Sequence, residues 1–411
     1  MSGKEQTFIQ EAFDTNWVVP LGPNVNGFEE DLKAFMNSFD NGRGLERPHE
    51  VVALSSGTAA MHLGLLACGV GPGDDVLVQS FTFCASSHPI TYLGATPVFV
   101  DSEKDTWNMD PELLEAAIKD RVSKTGRIPK AIVPVALYGM PYQIDKITKI
   151  ANQFGIPVVE DAAEGMGSRF DGRLLGSFGK FGVLSFNGNK MITTSGGGAL
   201  ICETPDDKNK IMWYATQARE AYPYYQHEAI GYNYRLSNIC AGIGRGQMTV
   251  LDEHIAHHKH IRNLYKELLA AVPGVVLHDN PSQRYDSNFW LNTITLDPKL
   301  RIIGQENAYK AVIQGAVGGA GSIVHTVKST VTDCQPNDNV EALRLFLDAT
   351  GIEARPLWKP MHRQPVYRGA PAYVNGVSEE LFKVGICLPS GPCVTDEDVR
   401  FIVETIKSSI L

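Results

Sequence analysis

The 411-residue sequence has no run of lysines and arginines, no apolar stretch of about 18 residues and no C-x-x-C pair. Each absence removes a class of function. With 37 Lys+Arg against 46 Asp+Glu the net charge is −9, whereas binding nucleic acid calls for a basic face that displaces counterions. The opening stretch MSGKEQTFIQEAFD places carboxylates where a signal peptide has a basic and then an apolar segment. Nothing further along is apolar for long enough to span a bilayer. The expectation is a soluble cytoplasmic protein without a nucleic-acid or membrane partner. Seven cysteines, an odd number with no paired spacing, fit reduced thiols better than a disulfide framework or a zinc site. Internal repeats and low-complexity segments are also missing. What the chain has is 43% hydrophobic and 20% charged residues, enough to bury the core of a large domain with a smaller one beside it.

From residue 51 short apolar runs alternate with helical stretches, the pattern of β-α units around a parallel sheet. The expected strands are VVALSS (51–56), DVLVQS (75–80), TPVFVD (96–101), AIVPVAL (131–137), IPVVED (156–161), FGVLSF (181–186) and GGALIC (197–202). Helices are expected over 58–69, near 84–93, from Pro111 to Asp120, near 144–154, and after Asp206 with Pro205 as an upstream stop. Apolar residues from Leu236 to Leu268 recur at helical spacing and predict one long helix over about 237–271. It would lead to a second domain with a strand at FWLNTITL and helices near 304–315, 339–350 and 395–410. The expected division is 1–255, an N-terminal segment plus the large domain, and 256–411, a smaller C-terminal domain with a long insertion near 299–338.

Ligands of open parallel sheets sit at the carboxyl ends of the strands, so the residues just past each strand carry the argument. Ser55-Ser56-Gly57-Thr58 opens a helix with small residues. It reads as an anion cradle at the positive end of the helix dipole or as a plain N-cap. Glu160-Asp161-Ala162-Ala163-Glu164 closes the strand IPVVED. A buried carboxylate there needs a cationic partner, either a protonated ring nitrogen or an arginine. Lys190 follows Ser185 and precedes a Gly-rich turn, and reads as a Schiff-base nucleophile or as a solvated surface lysine. Phe83 at another strand end is either a platform for a planar cofactor or a core aromatic. Taken together, a phosphate cradle, an aromatic platform, a buried carboxylate and a crevice lysine are the parts that pyridoxal 5′-phosphate requires.

Over nearly its full length the sequence resembles the DegT/DnrJ/StrS family of sugar-nucleotide aminotransferases. The motifs that carry the resemblance are NWVVPLGPNVNGFE (16–29), SSGTAAMHLGL (55–65), QSFTFCASSHPI (79–90), GATPVFVD (94–101), VEDAAEGMGS (159–168), SFNGNKMITTSGGGAL (185–200), QAREAYPYYQHEAIGYNYRLSN (217–238) and GIEARPLWKPMH (351–362). The last three are most similar to the bacillosamine-type enzymes that act on UDP-linked 4-keto-6-deoxy-N-acetylhexosamines. The resemblance implies an α/β fold of the aspartate-aminotransferase type (fold type I), with a large, mainly parallel-sheet domain and a smaller C-terminal α/β domain. It implies that Lys190 carries pyridoxal phosphate covalently and shuttles the proton. It places Asp161 on the ring nitrogen, Glu164 near the phenolic oxygen and Phe83 on the ring face. Gly57, Thr58 and Ser185 would hold the phosphate, and Asn233 would reach the cofactor of the neighbouring subunit, which implies a homodimer with shared sites. Asn16, Trp17, Trp358 and His362 would line the sugar-nucleotide pocket. The donor would be an amino acid, glutamate by expectation, and the acceptor the keto sugar.

The roughly 50 residues between FWLNTITL and GIEARPLW exceed what the family leads one to expect, and they leave the sugar open. The same chemistry on a 3-keto sugar or on a dTDP or GDP carrier is one alternative, and a non-catalytic pyridoxal-phosphate-binding scaffold is another. A dehydratase with histidine in place of the lysine is disfavoured because Lys190 is present. The histidines of DEHIAHHKH (His254, His257, His258 and His260) read as a polar helix face rather than a metal site, so no metal is expected. Gly315, Gly318, Gly319 and Gly321 form a loose cluster without the context of a dinucleotide fingerprint.

Overall fold

Seven of the short apolar runs become strands, each interior residue of which is buried: Glu50–Leu54, Asp75–Gln79, Thr96–Val100, Ala131–Val133, Val159–Asp161, Phe181–Ser185 and Gly198–Cys202. The computed structural model describes residues 1–38, 48–309 and 334–411. It divides into two compact units. The first comprises Met1–Lys259, Asn280–Trp290 and Pro360–Val377, and the second His260–Asp279, Leu291–Lys359 and Ser378–Leu411.

In the first unit two four-stranded sheets are joined by parallel bridges from Ile132 to Val158 and from Val135 to Asp161. All neighbours pair in parallel except Gly198–Cys202, which runs antiparallel to both Glu50–Leu54 and Phe181–Ser185. The sheet is therefore mainly parallel, and one of the seven expected strands is reversed within it. An edge strand that periodicity did not show, Ala372–Tyr373, pairs in parallel with Thr96–Val100. It is anchored by Asp101, whose carboxylate accepts from the Asn375 and Gly376 amides.

Helix starts follow local chemistry. Ser56 caps Gly57–Ala67 by accepting from the Ala59 amide, and Asp110 caps Pro111–Thr125 in the same way. Pro205 is not a stop signal. It is the first residue of the helix Pro205–Ala215, where proline's missing N–H costs nothing, behind the cap Thr204. The stretch near 84–93 is a 3₁₀ turn, Cys84–Ser86, followed by the short helix His88–Tyr92.

The single long helix expected over 237–271 is two helices, Asn238–Met248 and Leu251–Leu269. Between them the Thr249 and Val250 amides bond to the carbonyls three residues back, and the Thr249 hydroxyl takes the Gly246 carbonyl as well. The tightened turn breaks the ladder that periodicity alone would continue. The first of these helices packs against two N-terminal helices, Glu5–Asp14 and Pro23–Met36. A Cβ on Gly244 would stand 2.7 Å from the Phe28 ring, and one on Gly246 would stand 2.8 Å from Glu5 backbone, so glycine is what allows the approach.

The second unit is an antiparallel sheet ordered Val275–Leu277, Asn292–Leu296, Gly385–Leu388, Arg355–Pro356. Asp338–Ala349 and Asp396–Ser409 contribute to its core with Ile261, Tyr265, Ile294, Leu343, Ile386 and Val403. The strand read at FWLNTITL begins only at Asn292. Of the segment near 299–338, residues 305–307 form a 3₁₀ turn. Residues 310–333, with the glycine cluster and the rest of the helix expected near 304–315, lie outside the described residues. Among the described residues no helix is long and apolar enough to cross a membrane.

Candidate active site

The strands Glu50–Leu54, Asp75–Gln79, Val159–Asp161 and Phe181–Ser185 point the same way, so the residues that follow them share one edge of the sheet. Asp161 ends its strand with its side chain buried. One oxygen accepts from the Ser86 hydroxyl at 2.6 Å and the other from the Ala163 amide at 3.1 Å. Burial raises the Asp161 carboxyl above its ordinary value, and Ser86, the Ala163 amide and the charge of Lys190 oppose that rise. Glu164, also buried, accepts from the Tyr138 amide at 2.7 Å. Burial raises Glu164 too, against the pull of Lys190 and of Tyr138.

Lys190 is not a surface lysine. Its side chain is 12% exposed, its Nζ lies 3.5 Å from Glu164 Oε1, and the indole of Trp290 lies 4.1 Å away on the ring-centroid measure. Trp290 is itself fixed, because its Nε1 donates to the Asn189 carbonyl at 2.7 Å and its amide donates to Asn288 Oδ1. The Asn288 amide nitrogen donates in turn to the carbonyls of Glu164 and Met166. One asparagine thus ties together the backbones of Glu164 and Trp290, whose side chains face the lysine. Two histidines of Leu251–Leu269 hold the same loops from behind, His254 on the Met191 carbonyl and His258 on that of Phe289. Burial brings His258 down to about 4, so it is neutral and donates through Nδ1 to that carbonyl. His260 pairs instead with Asp396. Among the described residues no three His, Cys, Asp or Glu side chains group as a metal site.

Gly57 is the first residue of its helix, where the backbone amides lack intrahelical acceptors. A Cβ there would meet Ser185 Cβ at 3.0 Å and Oγ at 3.2 Å, so the space between helix start and strand end exists because residue 57 is glycine. Thr58 and Ser185 flank it half-buried. The Phe83 ring is 50% exposed at the strand end after Gln79. Beside it His362 Nδ1 lies 2.6 Å from Ser80 Oγ, so the chain excursion 360–377 brings this residue to the strand ends from far away in sequence. Asn16, with a left-handed φ of 58°, and Trp17 are exposed. Asn238 anchors this segment through the Trp17 carbonyl. Asn233 is exposed and bonds to Gln217 rather than to the Lys190 cluster. Its neighbours Tyr232 and Tyr234 stack on each other and pack on His62. Trp358 belongs to the second unit.

Sequence reading missed Ser86, Tyr138, Asn288 and Trp290. Only the hydroxyl of Ser86, inside one of the motifs of the resemblance, left any trace there. The others come from distant segments. The residues present fit a phosphorylated pyridine aldehyde: an open helix start for the anion, a buried carboxylate with unused acceptor capacity for a ring N–H, and an enclosed amine whose charge acts on that carboxylate.

The chain matches the DegT/DnrJ/EryC1/StrS aminotransferase family over residues 1–314 and 305–407. It is 42% identical, over 99% of its length and 93% of the relative's, to EpsN of Bacillus subtilis strain 168, whose name describes a pyridoxal phosphate-dependent aminotransferase. It is 31% identical to the GDP-perosamine synthase of Escherichia coli O157:H7, covering 99% of this chain and 96% of that one. Among solved structures, a DegT DnrJ EryC1 StrS aminotransferase from Brucella abortus superposes with a TM-score of 0.81 at 26% identity, over 99% of this chain and 95% of that one. The chain belongs to the DegT/DnrJ/EryC1/StrS aminotransferase family.

Proposed function

We propose that this aminotransferase uses pyridoxal 5′-phosphate bound through Lys190 to move an amino group from L-glutamate to C4 of a UDP-linked 4-keto-6-deoxy-N-acetylhexosamine. The observation that carries the reading is the Lys190 amine, enclosed by Glu164 and Trp290 and within the electrostatic reach of buried Asp161. When bound, the cofactor supplies the electron sink that lets a proton leave the amino-bearing carbon. The chain supplies position and charge. Asp161 accepts the ring N–H and keeps it protonated, while Glu164 sits toward the phenolic oxygen. Gly57 and Thr58 offer amides to the phosphate, Ser185 offers its hydroxyl, and Phe83 covers the ring face. The Lys190 amine first holds the cofactor and then, once released, takes up the proton and returns it. Asn233, exposed and bonded to Gln217, reaches the site of a second copy, so the working unit is a homodimer. Asn16, Trp17 and His362 contact the sugar nucleotide.

A GDP-linked 4-keto sugar is the second reading, supported by the full-length similarity to a GDP-perosamine synthase. Absorbance separates the two. The visible band of lysine-bound pyridoxal phosphate should bleach with glutamate and return on adding UDP-4-keto-6-deoxy-N-acetylglucosamine. Return with GDP-4-keto-6-deoxymannose alone selects the second reading, and no bleaching overturns both. The shared site has its own test, in which Lys190→Ala mixed with Asn233→Ala should regain activity that neither variant has alone. If no mixture is active, Asn233 acts elsewhere.

A further inference from the structure

Behind Asp161, on the side away from its Ala163 bond, two hydroxyls stand in line. Ser86 Oγ lies 2.6 Å from Asp161 Oδ2, and Thr82 Oγ1 lies 2.7 Å from Ser86 Oγ. Both residues are buried, Ser86 completely, so no water competes for these bonds. Serine has one hydrogen to give. If Asp161 is a carboxylate it can only accept, so Ser86 must donate to it, and the Thr82 hydroxyl must donate to Ser86. The chain of bonds is polarised toward Asp161, and each bond strengthens the next.

The two hydroxyls are placed by the same turn that carries Phe83. The Thr82 amide bonds to the Ser80 carbonyl and the Ser86 amide to the Phe83 carbonyl. Ser80 also holds His362. We infer that Thr82 and Ser86 are positioning residues, a hydroxyl relay that keeps Asp161 ionised and aimed, so that it holds a proton on the cofactor's ring nitrogen. The inference rests on the reading of Asp161 proposed above.

The groups that face Asp161 explain why a relay is needed. Glu164 brings a second carboxylate, and among the described residues the cation acting on Asp161 is Lys190. That amine is also the group consumed in bonding to the cofactor. Ser86 and the Ala163 amide are then the donors that remain.

The test uses the holoenzyme reconstituted with pyridoxal 5′-phosphate labelled with ¹⁵N in the ring. A charge-assisted hydrogen bond in a buried site is worth roughly ten- to a hundredfold in an equilibrium. Ser86→Ala should therefore move the loss of the protonated ring-nitrogen signal about one to two pH units lower, and slow the half-reaction with glutamate by about tenfold or more. Thr82→Val should do the same to a smaller degree, and Thr82→Ser should restore the parent signal. Should Ser86→Ala fail to fold, the Thr82 pair still decides. An unchanged signal in Ser86→Ala and Thr82→Val, alongside a changed one in Asp161→Asn, overturns the relay alone. An unchanged signal in Asp161→Asn overturns the role of Asp161 itself.

Discussion

Lys190→Ala should destabilise the cofactor-stripped protein more at pH 8 than at pH 5. Glu164 is raised above its ordinary value of 4.5 by burial, and Lys190 is the first influence opposing that rise. With the amine gone, folding must either keep a buried carboxylate without its cation or put a proton on it. The first route forfeits an attraction of about 5 kcal/mol for charges 3.5 Å apart at an effective dielectric constant of about 20. The second costs about 1.4 kcal/mol for each pH unit above 4.5, hence about 0.7 kcal/mol at pH 5 and about 5 kcal/mol at pH 8. The folded state then binds a proton that the unfolded chain has released, so stability falls as pH rises. The lost contact with Trp290 and the lost lysine stem do not depend on pH, and they cancel when the two conditions are compared. Water entering the vacated space lowers the full difference, leaving about 2 kcal/mol or more. At about 2 °C per kcal/mol for a large domain, the melting temperature should drop at least about 4 °C further at pH 8 than at pH 5, as read by circular dichroism of parent and variant. Equal drops at both pH values would refute the pairing of Lys190 with Glu164.

Substitutions at three further positions test other parts of the structure. Gly57→Ala places a Cβ 3.0 Å from Ser185, so affinity for pyridoxal 5′-phosphate in a spectrophotometric titration should fall about tenfold or more; parent affinity would mean that the anion binds elsewhere. Glu160, fully buried one residue before Asp161, is pushed by burial up to about 7. Its burial weakens the fold as pH rises from about 5 through 7, so Glu160→Gln should flatten the dependence of melting temperature on pH between 5 and 8, and an unaltered slope would assign that dependence to other groups. Trp290→Leu should slow the half-reaction with glutamate between about twofold and thirtyfold, with Trp290→Phe retaining most of the rate; equal rates in Leu and Phe variants would show that the indole face does not act on Lys190.

Much of this protein is local in origin. Each of the seven strands read from the sequence is a run of apolar residues too short for a helix, and the caps Ser56, Asp110 and Thr204 are short polar residues at helix starts, so both are legible in the sequence. Asp161, Glu164, Ser185 and Lys190 are also legible there, because a polar residue just beyond a buried strand has few places to go except the sheet edge. What periodicity could not show was direction or interruption. The apolar pattern of Gly198–Cys202 is the same whichever way the strand runs, and the hydrogen bonds that break the helix at Thr249 leave its apolar spacing intact.

The surroundings of the lysine were decided only in three dimensions. Trp290 reaches Lys190 across 100 positions of sequence, Asn288 ties Glu164 to Trp290, and Ser86 bonds to Asp161 across 75. No spacing rule connects such residues. By itself the sequence determined which groups lie at the strand ends, because burial and turn chemistry act between near neighbours. The tertiary structure decided which of those groups meet and in what state of charge, because desolvation and Coulomb energy depend on distances that only packing sets.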